Sequence, residues 1–312
     1  MTDFRASIGD LGFGSMFAQF RGIATESQEA YDAVIASLQL AMDEGIRLFD
    51  TADIYATAWN TFGQNERMVA EALRTWNASP EVKAKVVIAT KAGITRKPGE
   101  VWGRNATVDY LLRAAEASAG RLGVSVIDLW QHHRLDPSLG FEEQVQNLDA
   151  LRQRGIVKHL GVSNYSATQL RRALEILGTP SEGGIVSIQN QLSPAYRQEI
   201  DVLEVCDEFG VVYLPWSPSK GVKDMGDLFG PIAQTHGCSN HAVAMAWLRS
   251  LSPNIVPIPG VTRRETVLDN IAALRVTLTS DELAQINAGL PESMPLDQEL
   301  IEPSKDPLIR HR

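Results

Sequence analysis

The chain has 312 residues, 44% of them hydrophobic and 21% charged, with a net charge of −9 at pH 7. Such a chain can bury a large core, and its acidic balance argues against a nucleic-acid surface, which needs clustered lysine and arginine. Its two cysteines, Cys206 and Cys238, show no CxxC or metal-type spacing, so neither a disulfide framework nor a metal site is expected. The opening residues MTDFRASIGD lack the basic-then-apolar pattern of a secretion signal, and no apolar run approaches the ~18 residues of a membrane span. A soluble cytoplasmic protein with no membrane partner is the expectation.

Short apolar runs alternate with helical patterns along the chain. Leu11–Ser15 comes first, then a helix over Ser27–Glu44, where Tyr31, Val34, Ile35, Leu38 and Met42 recur near a 3.6-residue period and Gly45 supplies the stop. Ile46–Asp50 and Val86–Lys91 follow, then a helix over Val108–Leu122. Ile127–His132 leads to a helix over Phe141–Arg154, closed by Gly155. His159–Ser163 leads to Ser166–Leu177, a helix opened by a capping serine and closed by Gly178. Ile185–Gln189, a helix over Asp201–Phe209, Val211–Trp216, a helix over His241–Leu251 and Ile255–Pro259 complete the series. Eight strand-like runs with helices between them predict an α/β fold, a single-domain (β/α)8 barrel over residues 1–312, with the chain from about 291 wrapping it. A doubly wound sheet is the competing fold. It would want GxGxxG after the first strand, and glycines at 12, 14 and 22 have the wrong spacing.

In such a barrel, side chains at the C-terminal strand ends share one face. Here those ends carry Asp50 with Tyr55 beyond it, Lys91, His132-His133-Arg134, Ser163-Asn164, Gln189, Trp216-Ser217 and Pro259-Gly260, followed by Arg263 and Arg264. Aspartate, tyrosine, lysine and histidine together point to proton chemistry. A tyrosine with a reference pKa near 10 needs help at neutral pH, and a neighbouring lysine cation would lower it. A carboxylate would keep that lysine charged, and a histidine N–H would hold a substrate oxygen. The set could deliver a proton to a carbonyl oxygen while hydride reaches the carbon.

The motifs "LGFGSM" (11–16), "FDTADIY" (49–55), "IATKAG" (88–93), "IDLWQHHRLDP" (127–137), "GIVKHLGVSNYS" (155–166), "SIQNQLSP" (187–194), "PWSPSKG" (215–221) and "VPIPGVTRRETVLDN" (256–270) resemble an aldo-keto reductase, in family order. The branch is closer to the bacterial and potassium-channel-β-subunit members than to aldose reductase. The resemblance implies NAD(P)H-dependent, reversible reduction of an aldehyde or ketone by a small-molecule oxidoreductase. It places the catalytic tetrad at Asp50, Tyr55, Lys91 and His133, the last chosen over His132 by its distance from Asp128 and by the adjacent Arg134. Asp53 has no counterpart in the tetrad.

For the cofactor, the resemblance implies contacts from Gly14, Ser15, Met16 and Asp50. Ser163, Asn164 and Gln189 would hold the nicotinamide carboxamide, and Trp216 would stack on its ring. Ser217, Pro218, Ser219, Lys220 and Gly221 would wrap the pyrophosphate, and Asp269 and Asn270 would meet the adenine. Gly260 and Thr266 stand where the aldose reductase branch has Lys and Arg. Arg263 and Arg264 are then the candidates for a 2′-phosphate, with NADPH expected and NADH the alternative. Trp59, Phe62 and Trp102 are candidates for a substrate wall. Two other readings fit the fold: a cofactor-binding regulatory subunit like the channel β-subunits, and a non-redox barrel using Lys91 as a Schiff-base nucleophile.

Overall fold

The computed structural model describes residues 4–20 and 27–295. Among the described residues nine strands are present: β1 (Gly12–Gly14), β2 (Leu48–Asp50), β3 (Val87–Ala92), β4 (Ile94–Lys97), β5 (Val101–Arg104), β6 (Ile127–His132), β7 (Val157–Ser163), β8 (Ile185–Gln189) and β9 (Val212–Tyr213). Seven form one parallel sheet in the order β1-β2-β3-β6-β7-β8-β9, and β4 and β5 form a separate antiparallel hairpin. The sheet closes into a (β/α)8 barrel through the chain around Ile255–Gly260, which bridges Tyr213 on one side and Gly14 on the other.

This eighth stave is not a regular strand, and the reason is covalent. Val256 and Ile258 donate to Tyr213 and Pro215, while the carbonyls of Pro257 and Pro259 accept from Gly12 and Gly14 at 2.9 and 2.8 Å. Proline has no N–H to give back. The ladder toward β1 is therefore made by one partner only.

Alternation along the strands sorts two cores. Phe49, Ile88, Trp130, Val162 and Ile188 face the helical shell. Leu48, Ala89, Leu129, Val212 and Leu214 face the barrel axis, where Phe4 and Ile8 of the short helix Phe4–Ile8 close one end. Each of those two plugging side chains contributes roughly 1.5–3 kcal/mol by burial. Gly161 is a glycine for lack of space, since a Cβ there would lie 2.3 Å from Ser187 Oγ and 3.0 Å from Gln131 Cγ.

Helices begin and end close to where their caps predict. Gln28–Asp43 follows Ser27, whose hydroxyl accepts from Ala30 N at 3.1 Å, and Ala167–Leu177 follows a capping box between Ser166 and Gln169. The β4–β5 hairpin and the helices Gln64–Thr75, Gly226–His236, Arg264–Ala272 and Ser280–Gly289 go beyond the elements predicted from sequence. Of the predicted C-terminal tail, residues 296–312 lie outside the described residues. Its start is anchored, with Met294 N donating to Ala195 O at 2.8 Å and Ser293 Oγ accepting from Arg197 N at 2.8 Å. Among the described residues, no helix is long and apolar enough to cross a membrane.

Candidate active site

Asp50 ends β2 facing the barrel axis, two residues on from Leu48, and Lys91 sits on the neighbouring β3. Lys91 is fully buried, and its ammonium donates to both carboxylate oxygens of Asp50 at 2.6 and 2.7 Å and to Thr51 O at 2.8 Å. All three hydrogens are thereby used. Asp50 also accepts from Gln189 Nε2 at 2.8 Å and from Gln131 Nε2 at 3.4 Å. A charge pair stripped of water survives only when its remaining valences are filled in this way. Burial pulls the Lys91 pKa down, and Asp50 opposes that shift.

Tyr55 lies in the loop after β2, with the Lys91 ammonium 5.0 Å from its ring centroid. Its ring meets His133 edge-on, centroids 5.9 Å apart. Burial, then the Asp50 charge, push the phenol well above its usual value of 10, with Arg134 pulling the other way. The net direction is opposite to the lowering expected from a neighbouring lysine, because the cost of burying a phenolate, followed by the Asp50 charge, dominates in the resting site. The phenol therefore keeps its proton at neutral pH.

The two adjacent histidines have opposite surroundings. His132 pairs with Ala92 in register and turns outward, its Nδ1 2.8 Å from the Tyr165 hydroxyl. Burial lowers its pKa to about 4. His133 lies past the end of β6, where its backbone N–H donates to Ala92 O at 2.9 Å and its ring reaches the Tyr55 side. Burial and the positive charge of Lys91 hold it neutral. A neutral imidazole has one N–H to offer a ligand oxygen.

These groups share a cavity of about 420 Å³. It brings together Asp50, Tyr55 and His133 with Gly14, Met16, Ser163, Asn164, Gln189, Trp216, Ser217, Pro218, Ser219 and Gly260. Asn164 and Ser217 adopt left-handed backbone, φ 59° and 51°, a conformation that non-glycine residues adopt at some cost. In that conformation Asn164 donates to His133 O at 3.1 Å and to Ser163 Oγ at 2.9 Å, and its Oδ1 accepts from Trp216 Nε1 at 3.2 Å. The indole is thus a fixed platform beside the cavity.

Other candidates stand apart from the cavity wall. Ser15 is buried with its hydroxyl 2.7 Å from Asp50 O and 2.5 Å from Asn65 Oδ1, so its side chain braces the strand ends. Lys220 lies over the Tyr196 ring at 4.6 Å, and Gly221 fits against Ala195 at φ 84°. Asp269 accepts from Ser239 Oγ at 2.7 Å, and Asn270 is buried nearby in the same helix. Arg263 is the N-cap and Arg264 the first residue of Arg264–Ala272, both exposed. Thr266 lies in the same first turns, half-buried. Asp53 is buried with one carboxyl oxygen unpartnered, and burial followed by the Glu66 charge raises its pKa well above the usual carboxylate value. Among the described residues, no cluster of three or more His, Cys, Asp or Glu could hold a metal ion.

Several participants went unread in the sequence. Gln131 lies two residues from Leu129 on the axial face, a period-2 signal that could have found it. Asn65 accepts from Thr51 as well as Ser15 and donates to Ser15 O at 3.0 Å, tying the first two strand ends together. Ile54, Ile94 and Phe17 complete the wall, joined by Trp102 from the hairpin, and nothing local marked the first three.

Comparison with known proteins agrees with this geometry. The sequence model of the Aldo/keto reductase family matches residues 10–290. An uncharacterised oxidoreductase of Schizosaccharomyces pombe is 28% identical over 90% of this chain and 86% of its own. The 6-dehydroglucose reductase of Novosphingobium aromaticivorans is 32% identical over 82% of this chain and 85% of its own. A solved aldo-keto reductase from Klebsiella pneumoniae in complex with NADPH superposes with a TM-score of 0.71 at 23% identity, covering 91% of this chain and 92% of that one. A closed parallel barrel, a buried Lys91–Asp50 pair and a family match over nearly the whole chain lead to one statement: this protein belongs to the aldo/keto reductase family.

Proposed function

We propose that this chain reduces an aldehyde or ketone to the alcohol with NADPH, reversibly, as a cytoplasmic enzyme built on one barrel domain. The observation that carries the reading is the buried Lys91–Asp50 pair set directly behind Tyr55 and His133 in one cavity. The residues present suit a nicotinamide cofactor, because Trp216 offers an indole held by Asn164 and the left-handed Ser217 starts a loop along the same wall. Gln189, Ser163 and Asn164 would hold the carboxamide, and Ser217–Ser219 the pyrophosphate. When bound, the cofactor supplies hydride to the carbonyl carbon.

Tyr55 gives its phenolic proton to the carbonyl oxygen as negative charge builds there. A phenol that is fully protonated beforehand is the right ground state for a general acid. His133, neutral, donates its N–H to the same oxygen and orients the carbonyl. Lys91, fixed by Asp50, supplies the positive field that stabilises the phenolate left behind, an electrostatic role that needs no reorganisation during the reaction. Gln189 and Gln131 keep Asp50 in place. The test is a panel of aldehydes and ketones followed by NADPH absorbance. Turnover that Tyr55→Phe removes supports the reading. Tight NADPH binding with no turnover on any carbonyl would favour a regulatory cofactor-binding subunit instead.

A further inference from the structure

The hairpin β4–β5 stands beside the reacting groups, and its side chains sort by alternation. In the antiparallel register Ile94 lies opposite Arg104 and Arg96 opposite Trp102, so these four share one side of the ribbon. That side meets the catalytic loop. Ile94 packs with Ile54 and Tyr55, and both Ile94 and Trp102 line the cavity. Exposure rises along this wall, from 6% at Tyr55 and Ile94 to 48% at Trp102. The reacting groups are therefore deep, and the indole stands at the mouth.

Two residues of the hairpin fasten it to the chain around Tyr55. Arg96, its side chain only 8% exposed, donates from Nη1 to Ala56 O at 2.9 Å and from Nη2 to Thr57 O at 3.1 Å. Its Nε donates to Glu100 Oε2, and its guanidinium lies 4.9 Å from the Trp102 ring centroid. Glu100 Oε1 accepts from Trp59 N at 3.0 Å. That hydrogen bond, and then Arg96, hold the Glu100 carboxyl below its usual value, so it accepts as a carboxylate. Among the described residues, three non-glycines have left-handed backbone. Asn164 and Ser217 line the cavity, and the third is Glu100 at φ 63°. Such a conformation persists only where surrounding contacts over-determine it, and here those contacts are the bonds to Arg96 and Trp59.

We propose that Arg96 and Glu100 clasp the hairpin to the Tyr55 loop, so that Trp102 and Ile94 form a fixed apolar wall that selects carbonyl substrates carrying a ring-sized apolar group. This rests on the carbonyl-reducing role proposed above. A hairpin of two four-residue strands is marginal by itself, so its place beside Tyr55 depends on what ties it down. The guanidinium packed on the indole holds the ring by a cation–π contact. A wall fixed beforehand spares a ligand the ordering that a loose one would demand. A ring lying on the exposed part of Trp102 takes apolar surface of both partners out of water. A small aldehyde reaches Tyr55 and His133 without covering the indole and draws no affinity from it. Arg96 is thus a positioning residue, acting on the substrate through Trp102.

The experiment uses the full chain with NADPH and compares benzaldehyde and cyclohexanecarbaldehyde with propanal. The ring aldehydes are expected to show KM roughly tenfold or more below that of propanal. Trp102→Ala should carry their KM toward the propanal value. Arg96→Leu should do the same while leaving kcat and KM for propanal nearly unchanged. Arg96→Lys, whose single ammonium cannot span two carbonyls and a carboxylate, should keep part of the preference. Equal KM for ring aldehydes and propanal overturns the wall, as does a preference that Trp102→Ala leaves intact. If Arg96→Leu lowers kcat for every aldehyde alike and leaves the ratio of KM values unchanged, Arg96 only braces the fold and the clasp is overturned. If that variant does not fold, Arg96→Lys and Glu100→Gln decide, and an unchanged ratio in both overturns the clasp. If no aldehyde is turned over, the carbonyl-reducing reading fails separately, and calorimetric titration of the NADPH-loaded chain with benzamide and propanamide decides the wall. Tighter binding of benzamide, weakened in Trp102→Ala and Arg96→Lys, supports it, and equal binding or none overturns it.

Discussion

Lys91 and the Arg263-Arg264 pair are the chain's most suggestive basic groups, and they sit in opposite physical circumstances. Lys91 is fully buried with every hydrogen bonded, inside a network that includes Asp50, Thr51, Gln131 and Gln189. Arg263 and Arg264 are exposed at a helix start and make no hydrogen bond or ion pair among the described residues. The first arrangement is complete before any ligand arrives. The second acquires a defined geometry only when a ligand supplies the counter-charge. On the proposed reading, chemistry is preorganised in the barrel, while cofactor choice would rest on a surface that costs little to change.

The comparison breaks most sharply at the buried end. Tyr55→Phe is expected to lower kcat by ~10²–10⁴-fold, the usual weight of a general acid, while NADPH still binds in a fluorescence titration. Near wild-type turnover would remove Tyr55 from the chemistry. His133→Ala should lower kcat/KM more than His132→Ala, and the reverse order would exchange the two roles.

Lys91→Met leaves Asp50 buried without its partner and should cost about 3–5 kcal/mol of stability, measured by urea unfolding. A loss below about 1 kcal/mol would mean that water reaches the pair. His132 gives a pH-dependent effect of similar kind. The folded chain keeps it neutral down to about pH 4, whereas an unfolded chain protonates it near 6.5. The unfolded state thus binds the extra proton between these values. Its contribution is complete above pH 6.5, declines as pH falls, and is gone by about pH 4, a span of about 3 kcal/mol. His132→Gln should flatten that part of the stability profile.

The exposed end should give the smallest effect. Arg263→Ala with Arg264→Ala is expected to raise the Kd for NADPH about tenfold or more and to leave the Kd for NADH nearly unchanged. Equal changes for both cofactors would show that these arginines do not read the 2′-phosphate.

The same contrast explains what the sequence could tell. Strand ends were legible because alternation fixes which side chain faces the axis: Asp50 is two residues from Leu48, and Lys91 two from Ala89. The preference for His133 over His132 rested on spacing, and the register explains their different surroundings, since His132 turns outward to Tyr165. The direction of the Tyr55 shift was not legible. It depends first on how completely the phenol is buried and then on its distance from Asp50, matters of three dimensions. The β4–β5 hairpin escaped notice because its residues, "ITRK" and "VWGR", are short and polar and read as loop. With it went Ile94 from the cavity lining, whereas Trp102 was a candidate already. Gly260 and Thr266 mark an expected departure from the aldose reductase branch at the phosphate pocket, but no pattern in one sequence says what replaces it.

The eighth stave sets how this barrel breathes. With prolines at 257 and 259, the only amide donors across that seam among the described residues are Gly12 and Gly14. Hydrogen exchange at those two amides should report opening of the seam directly, ahead of any exchange in the doubly bonded middle of β6 and β7. Since Gly14 and Gly260 both line the cavity, a ligand lodged there would act as a clasp across the joint, and slower exchange at Gly14 would register its arrival without any change in the rest of the ring.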